Sequence, residues 1–154
     1  MKRLFFILSL ALFHLTFCAA QQGLHINELF EGHIIPQDRL IETRVRGKAL
    51  AKYRLTFYRS LRFTASAEEV ARLRRLVDED SRGHFATGSE RSEKKLASKT
   101  YTWHVQLSPQ GGMNRFLCYQ DIAYNNKKPS EVTVIYMEGT VSGIRQLEEI
   151  INKQ

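Results

Sequence analysis

The feature that most constrains the fold is a strict alternation of side chains between Lys52 and Thr64. Its odd positions are mostly large and apolar, whereas its even positions are mostly basic, hydroxylated or aromatic. Because successive side chains of a strand point to opposite faces of a sheet, this pattern predicts a long strand with one covered and one open face. Arg59 is the exception, since it falls among the apolar residues of the covered side.

The neighbouring segments predict how that strand is covered. Residues 40–46 alternate in the same way and are joined to it by a short link, so the two strands should pair antiparallel. Ser66 and Glu69 have the spacing of a capping box and predict a helix from Ala67 to Asp80. Strands are then expected at residues 100–107, 113–120 and 132–137, with a last helix from Ile144.

The order β-β-α-β-β-β-α favours an α+β fold. Strands joined by short links, with the helices arriving separately, are typical of a two-layer sandwich. We therefore predict a mostly antiparallel, twisted sheet of about five strands with two helices on one face. Residues 81–99 contain only Phe85 and Leu96 as large apolar residues, and we predict a flexible internal loop there.

Residues 1–20 have the pattern of an export signal. Lys2 and Arg3 precede an apolar run that ends in small residues at Ala20, and the run is short for a membrane span. We expect cleavage after Ala20, which would leave residues 21–154 as a single periplasmic or secreted domain without a transmembrane segment. A lipoprotein acylated at Cys18 is the weaker alternative, because bulky Phe17 precedes that cysteine.

Charge and cysteine content bound the properties of the mature chain. Loss of Lys2 and Arg3 lowers the formal charge from +7 to +5, a moderately basic value that permits attraction to an anionic glycan or another polyanion. Cys118 is then the only cysteine, so no intramolecular disulfide can form. The domain must depend on its hydrophobic core.

No motif of known chemistry occurs in the sequence. A Gly-x-Ser-x-Gly turn is missing, Cys118 lies among apolar residues, and the histidines lack the spacing of metal ligands. The glycines at residues 139–143 precede a helix but lack the lysine of a phosphate-binding loop. We therefore expect no cofactor, no metal site and no catalytic residue.

The even positions of the long strand form the best candidate for a ligand face. Cations interleaved with aromatic side chains are the ingredients of a surface that tracks a polyanion. The same residues also keep an ordinary strand soluble, so a merely solvated face is the competing interpretation. The candidate face comprises Arg44, Arg46, Lys52, Arg54, Tyr58, Arg62 and His104.

Arg59 is the most informative single residue. The apolar parity continues past it at Leu61 and Phe63, so a β-bulge does not explain its position. Its charge should point inward and must be compensated there. The partner is either an acid in a structural ion pair or an acidic ligand in a groove.

Three stretches carry a resemblance to a known group of proteins. The segments LHINELFEG (residues 24–32) and VRGKAL (45–50), together with the strand at 53–63, resemble a family of short exported proteins of Bacteroidetes. That family is described as a domain of unknown function. The resemblance implies export and a single domain, and it implies no activity, cofactor or partner.

These observations favour an exported, non-enzymatic binding or accessory module of the cell envelope, whose partner we expect to be a protein. One alternative is a binder of anionic polymers through the basic sheet face. Another is a small periplasmic hydrolase whose site is assembled around Arg59 and His104, with residues 81–99 as a lid. A cleft with converging titratable groups would favour the hydrolase.

Overall fold

The chain folds around one antiparallel sheet of six strands with helices on both faces. A computed structural model describes residues 23–82, 85–95, 98–123 and 129–152, so the expected export signal at residues 1–20 lies outside the described residues. In chain order the elements are α1 (Asn27–Phe30), β1 (Ile41–Arg46), β2 (Leu55–Ala65), α2 (Ala67–Asp80), β3 (Ala86–Lys95), β4 (Lys99–Gln110), β5 (Met113–Ala123), β6 (Ser130–Gly139) and α3 (Ile144–Asn152), with 3₁₀ helices at Gln37–Arg39 and Gly47–Tyr53.

The strand order across the sheet is β1-β2-β6-β5-β4-β3. The predicted antiparallel pairing of β1 with β2 is confirmed. The strands β4 and β5 form a hairpin in which Gln110 faces Met113 across Gly111 and Gly112. Both glycines have positive φ, 57° and 77°, as the favoured two-residue hairpin turn requires. The last strand, β6, lies between β2 and β5 and therefore joins the two parts of the sheet.

The first face of the sheet carries the larger core. Odd-numbered side chains of β2 from Phe57 onward, of β4 and of β5, together with even-numbered side chains of β6, pack there against α2 and the segment around α1. Helix α2 has the predicted bounds, and both hydrogen bonds of the Ser66–Glu69 capping box are present. Its apolar stripe covers the sheet through Val70, Leu73, Leu76 and Val77.

Asp80 ties the N-terminal segment to the end of α2. Its fully buried carboxylate accepts hydrogen bonds from the backbone N–H groups of His25 (2.7 Å) and Ile26 (2.9 Å). The imidazole Nδ1 of His25 lies 3.0 Å from the same carboxylate. Burial raises the pKa of Asp80, although these three partners favour its charged form. The contact spans more than fifty residues of chain and fixes the cover of the first core.

The second face carries a smaller core beneath α3. Leu147 of α3 and Leu50 of the 3₁₀ helix are buried there with Phe116 and Met137, side chains that point away from α2. The prediction of two helices on one face is therefore wrong. Its physical cause is β5, which is apolar at both parities and must be covered on both faces.

The predicted loop at residues 81–99 contains an edge strand, β3 (Ala86–Lys95), which pairs with β4 and raises the strand count from about five to six. Its described side chains are largely exposed, so its sequence lacks the apolar alternation that would predict a strand. Arg91 attaches this strand to the body of the protein: its guanidinium lies 3.4 Å from the centre of the Trp103 ring and donates to Asp78 at 2.6 Å.

Candidate functional site

The candidate ligand face is divided between the two faces of the sheet. Tyr58, Arg62 and His104 lie on the second face, because their register partners belong to that side. Arg44 and Arg46 lie on the first face. The structure does not bring these two groups together, because its register pairs even-numbered residues of β1 with odd-numbered residues of β2.

The cations Arg46, Lys52 and Arg54 each have different surroundings. Arg46 lies over the ring of Phe57, with its guanidinium carbon 4.3 Å from the ring centre. Lys52 belongs to the 3₁₀ helix, and its ammonium lies 4.7 Å from the ring centre of Tyr53. Arg54 ends that helix in a left-handed conformation, with φ at 57°, and donates to a carbonyl oxygen after β6 at 3.3 Å. The seven residues therefore do not form one continuous basic surface.

The charge of Arg59 is held inside the first face. The side chain is 11% exposed, and its Nε and Nη2 atoms donate to the two carboxylate oxygens of Glu42 at 2.9 and 3.3 Å. Nη2 also donates to the backbone carbonyl of Phe30 at 3.1 Å, and the guanidinium lies over the ring of that residue. An acid of the neighbouring strand thus supplies the compensation that an inward arginine needs.

Glu42 is shared between two arginines. Burial works to raise the pKa of its carboxyl, but hydrogen bonds and charges from Arg59 and Arg44 outweigh burial and lower that pKa. Arg44 approaches Glu42 to 2.9 Å from the exposed side. The cluster links β1, β2 and the end of α1, and its geometry leaves the guanidinium of Arg59 engaged by protein groups.

The hydrolase alternative required Arg59 and His104 to meet. The register places them on opposite faces of the sheet, since Arg59 aligns with Tyr136 and Leu117, whereas His104 aligns with Cys118 and Ile135. In the described part of the chain these two side chains therefore do not converge.

A pocket of about 700 Å³ lies on the second face, between the sheet and the two elements that cover it. We call it the second-face pocket. It is half-open, and its walls are mainly apolar. The floor comes from β1, β2, β6, β5 and β4, and the cover comes from the 3₁₀ helix and α3. Its wall contains Val45, Leu50, Tyr53, Leu55, Tyr58, His104, Phe116, Cys118, Ile135, Met137, Ile144, Leu147 and Glu148.

The strand register explains why the floor is continuous. Val45 faces Tyr58, Tyr58 faces Met137, and Met137 faces Phe116, so one row of second-face side chains crosses four strands. The adjacent row adds Ile135, Cys118 and His104. Directly paired side chains lie about 5 Å apart, so the two rows form a continuous and mainly apolar floor.

The cover is held in place by polar contacts at the end of β6. Asn114 donates to the carbonyl of Val141 at 2.8 Å, and Gln106 donates to that of Ser142 at 3.2 Å. The side chain of Gln146, in the first turn of α3, accepts a hydrogen bond from the backbone N–H of Ser142, which precedes the helix. These contacts orient α3 so that Ile144 and Leu147 face the sheet.

A few polar groups lie in the pocket wall. His104 and Glu148 approach each other to 2.9 Å through Nδ1 and Oε1, at the β4 end of the floor. Cys118 faces His104 across the β4–β5 pairing and is a free thiol. Burial, with a smaller effect from Glu148, raises its pKa to about 12, so the thiol stays protonated at neutral pH and is a poor nucleophile.

The described residues contain no group of three or more His, Cys, Asp or Glu residues arranged to hold a metal ion. Within the same ranges, no helix has the length and apolar character needed to cross a membrane.

Sequence reasoning found Tyr58 and His104 but missed most of the pocket. The signals were present in the two-sided apolar pattern of β5 and in the stripe of Ile144 and Leu147 on the last helix. The sequence did not indicate the face of the sheet on which that helix packs. Glu148 was missed for the same reason, because its role depends on where α3 meets β4.

Comparison with known proteins identifies a family. No curated protein and no solved structure matches the chain. The resemblance to a domain of unknown function is supported by a family model that matches residues 13–151 and therefore spans nearly the whole sequence. The chain belongs to the family of unknown function DUF6108.

Proposed function

We propose that this protein is a non-enzymatic binding module and that the second-face pocket is its ligand site. The observation that carries the proposal is a half-open cavity of about 700 Å³ with an apolar wall and a few polar groups. Binding sites for small molecules have volumes of about 300–1,000 Å³ and this composition. The ligand class is a small, largely apolar molecule.

The surface supports a small ligand more than the protein partner expected from the sequence. Among the side chains that the structure describes, Ile41 is the large apolar residue that is exposed, at 68%. Protein-binding surfaces are usually marked by contiguous apolar patches, which one isoleucine does not supply. The apolar side chains that could recognise a ligand are instead those of the pocket wall.

The pocket groups favour binding over catalysis. The Cys118 thiol is kept protonated, and the polar pair His104–Glu148 lies beside apolar side chains. A hydrolase needs an activated nucleophile or water together with a group that stabilises developing charge. Cys118 is not an activated nucleophile, because its pKa is raised, and its apolar surroundings do not stabilise developing charge.

The test is binding of Nile red, a neutral apolar fluorophore, to the mature protein. We expect saturable binding near one molecule per chain. Ile135→Trp should weaken it strongly by obstructing the middle of the pocket floor, whereas Ile41→Trp, which adds the same ring at an exposed position of the second face, should retain it. Circular dichroism checks that both variants fold. Equal binding by parent and Ile135→Trp, or none by the parent, would overturn the proposal.

Export remains part of the proposed function. The residue pattern of positions 1–20 supports cleavage after Ala20 and a periplasmic or secreted location. Intact mass of the native protein should correspond to residues 21–154. A diacylated species that begins at Cys18 would contradict cleavage at Ala20, and a full-length mass would contradict export.

A further inference from the structure

The second-face pocket is long in one direction. Its floor runs from Val45 on β1 across β2, β6 and β5 to His104 on β4. Four interstrand steps of about 4.8 Å give a length of roughly 19 Å. The side chains along this path are mostly apolar, and the titratable pair His104–Glu148 lies at the β4 end. This shape suits an extended chain better than a compact ring system.

The two ends of the pocket differ in charge. The β4 end holds the carboxylate of Glu148 beside His104. At the β1 end, Lys52 lies over the ring of Tyr53, which is itself part of the pocket wall. The sequence contains no acid between Glu42 and Glu68, and although Arg44, Arg46 and Arg59 of this stretch lie on the first face, Lys52 lies beside the pocket wall. An anionic group is therefore favoured at the β1 end and disfavoured beside Glu148.

We infer that the ligand is a long-chain carboxylate, that is, a fatty acid or a molecule with the same single chain and acidic head. This inference rests on the proposed function of the pocket and specifies its ligand. The hydrocarbon chain lies across the strands, over Met137 and Phe116, and the carboxylate is placed at Lys52. The apolar floor supplies the affinity, and the basic end supplies the orientation.

The decisive experiment compares three amphiphiles of equal chain length: laurate and dodecyltrimethylammonium, each below its micelle concentration, and dodecanol below its solubility limit. Displacement of Nile red from the mature protein gives their relative affinities. We expect laurate to bind about tenfold more tightly than dodecanol, as one charge-assisted hydrogen bond would give, with the cation weakest. Added salt should narrow the difference.

Charge reversal then locates the head group. Lys52→Glu should weaken laurate about tenfold and leave dodecanol and Nile red unchanged. Lys94→Glu, the same change at an exposed position of β3, is the matched control and should alter none of them.

The outcomes separate the two proposals. Equal affinity for laurate and dodecanol would overturn the carboxylate assignment while leaving an apolar ligand site intact. Equal effects of the two charge reversals would also overturn it, because the head group would not lie at Lys52. Failure of the parent to bind Nile red and all three amphiphiles would remove the ligand site itself.

Discussion

At the scale of single residues, Arg59 shows how a charge is accommodated inside a small core. Its guanidinium has a carboxylate on one side, a carbonyl on another and the ring of Phe30 against its face. These partners come from β1 and from the last residue of α1, so one side chain links two elements to β2. The residue is better suited to fixing the edge of the sheet than to holding a soluble ligand.

Replacement of Arg59 should therefore destabilise the fold. We expect Arg59→Ala to lower the free energy of unfolding by about 1–3 kcal/mol, because Glu42 and the carbonyl of Phe30 lose a buried donor, although Glu42 keeps Arg44. Arg59→Met should cost less, because it retains packing against Phe30. Urea denaturation measures both, with Arg62→Met on the exposed side of the same strand as control. An Arg59→Ala variant as stable as that control would show that the cluster contributes nothing.

The same pair should respond to acid. The pKa of Glu42 is lowered in the folded state from its ordinary value of 4.5. The stability that its ionised carboxylate contributes is therefore fully present above pH 4.5 and is lost as the pH falls through the pKa of the folded state. The stability difference between parent and Arg59→Met should accordingly be largest at pH 7 and shrink by pH 3. Urea denaturation at the two values measures it. A difference that is unchanged at pH 3 would mean that the carboxylate charge is not what Arg59 stabilises.

At the scale of elements, the N-terminal segment depends on Asp80. We expect Asp80→Asn to lower stability by about 1–3 kcal/mol, because the amide group turns one acceptor into a donor facing a backbone N–H. Hydrogen exchange at the amides of His25 and Ile26 should accelerate more than exchange in β5. Glu79→Ala, an exposed change in the same helix, is the control. Unchanged exchange at both amides would mean that the segment is held by its apolar contacts alone.

Gly139 fixes how closely β6 meets the start of β2. A Cβ at this position would lie 2.3 Å from the carbonyl oxygen of Arg54 and 2.8 Å from the Cα of Leu55, so backbone would have to move. We expect Gly139→Ala to cost about 3 kcal/mol. Gly88→Ala, in the exposed strand β3 with open space around it, should change stability by less than about 0.5 kcal/mol. Thermal unfolding of the two variants gives the comparison, and equal melting temperatures would refute the close approach.

At the scale of the whole molecule, the positive charge is distributed over both faces instead of being gathered on one. Many arginines are engaged with acids, as Arg39 is with Glu69 and Arg74 with Asp121. We expect weak binding to heparin that falls with salt, and equal weakening by Arg62→Glu on the second face and Arg75→Glu on α2. Retention on a heparin column measures this. A much larger effect of Arg62→Glu would restore a polyanion site on the second face.

The sequence predicted the local elements better than their arrangement. Alternation located β2 and the capping box located α2, because both signals lie within a few neighbouring residues. The edge strand β3 was missed because polar side chains on an exposed edge leave no periodic pattern. The placement of Arg44 relative to Arg62 depended on register, which alternation within one strand does not determine.

The site was harder to predict than the fold for a related reason. His104 and Tyr58 could be found as polar residues in apolar strands, but the pocket exists only because α3 crosses to the second face. That crossing is decided by the contacts of Asn114 and Gln106 with the link after β6, between residues far apart in sequence. No short motif contains such information.

The position of β6 has a consequence for the order in which the molecule can assemble. Until synthesis has passed Ser130, the chain can form only two separate parts of the sheet. One is the pair β1–β2 and the other is the set β3, β4 and β5, since β6 is the strand that joins them. Both apolar faces stay incomplete until that strand arrives, and its pairing with β2 closes a long stretch of chain. Contacts of such sequence separation form slowly. The chain therefore remains without a complete core until most of it has been synthesised.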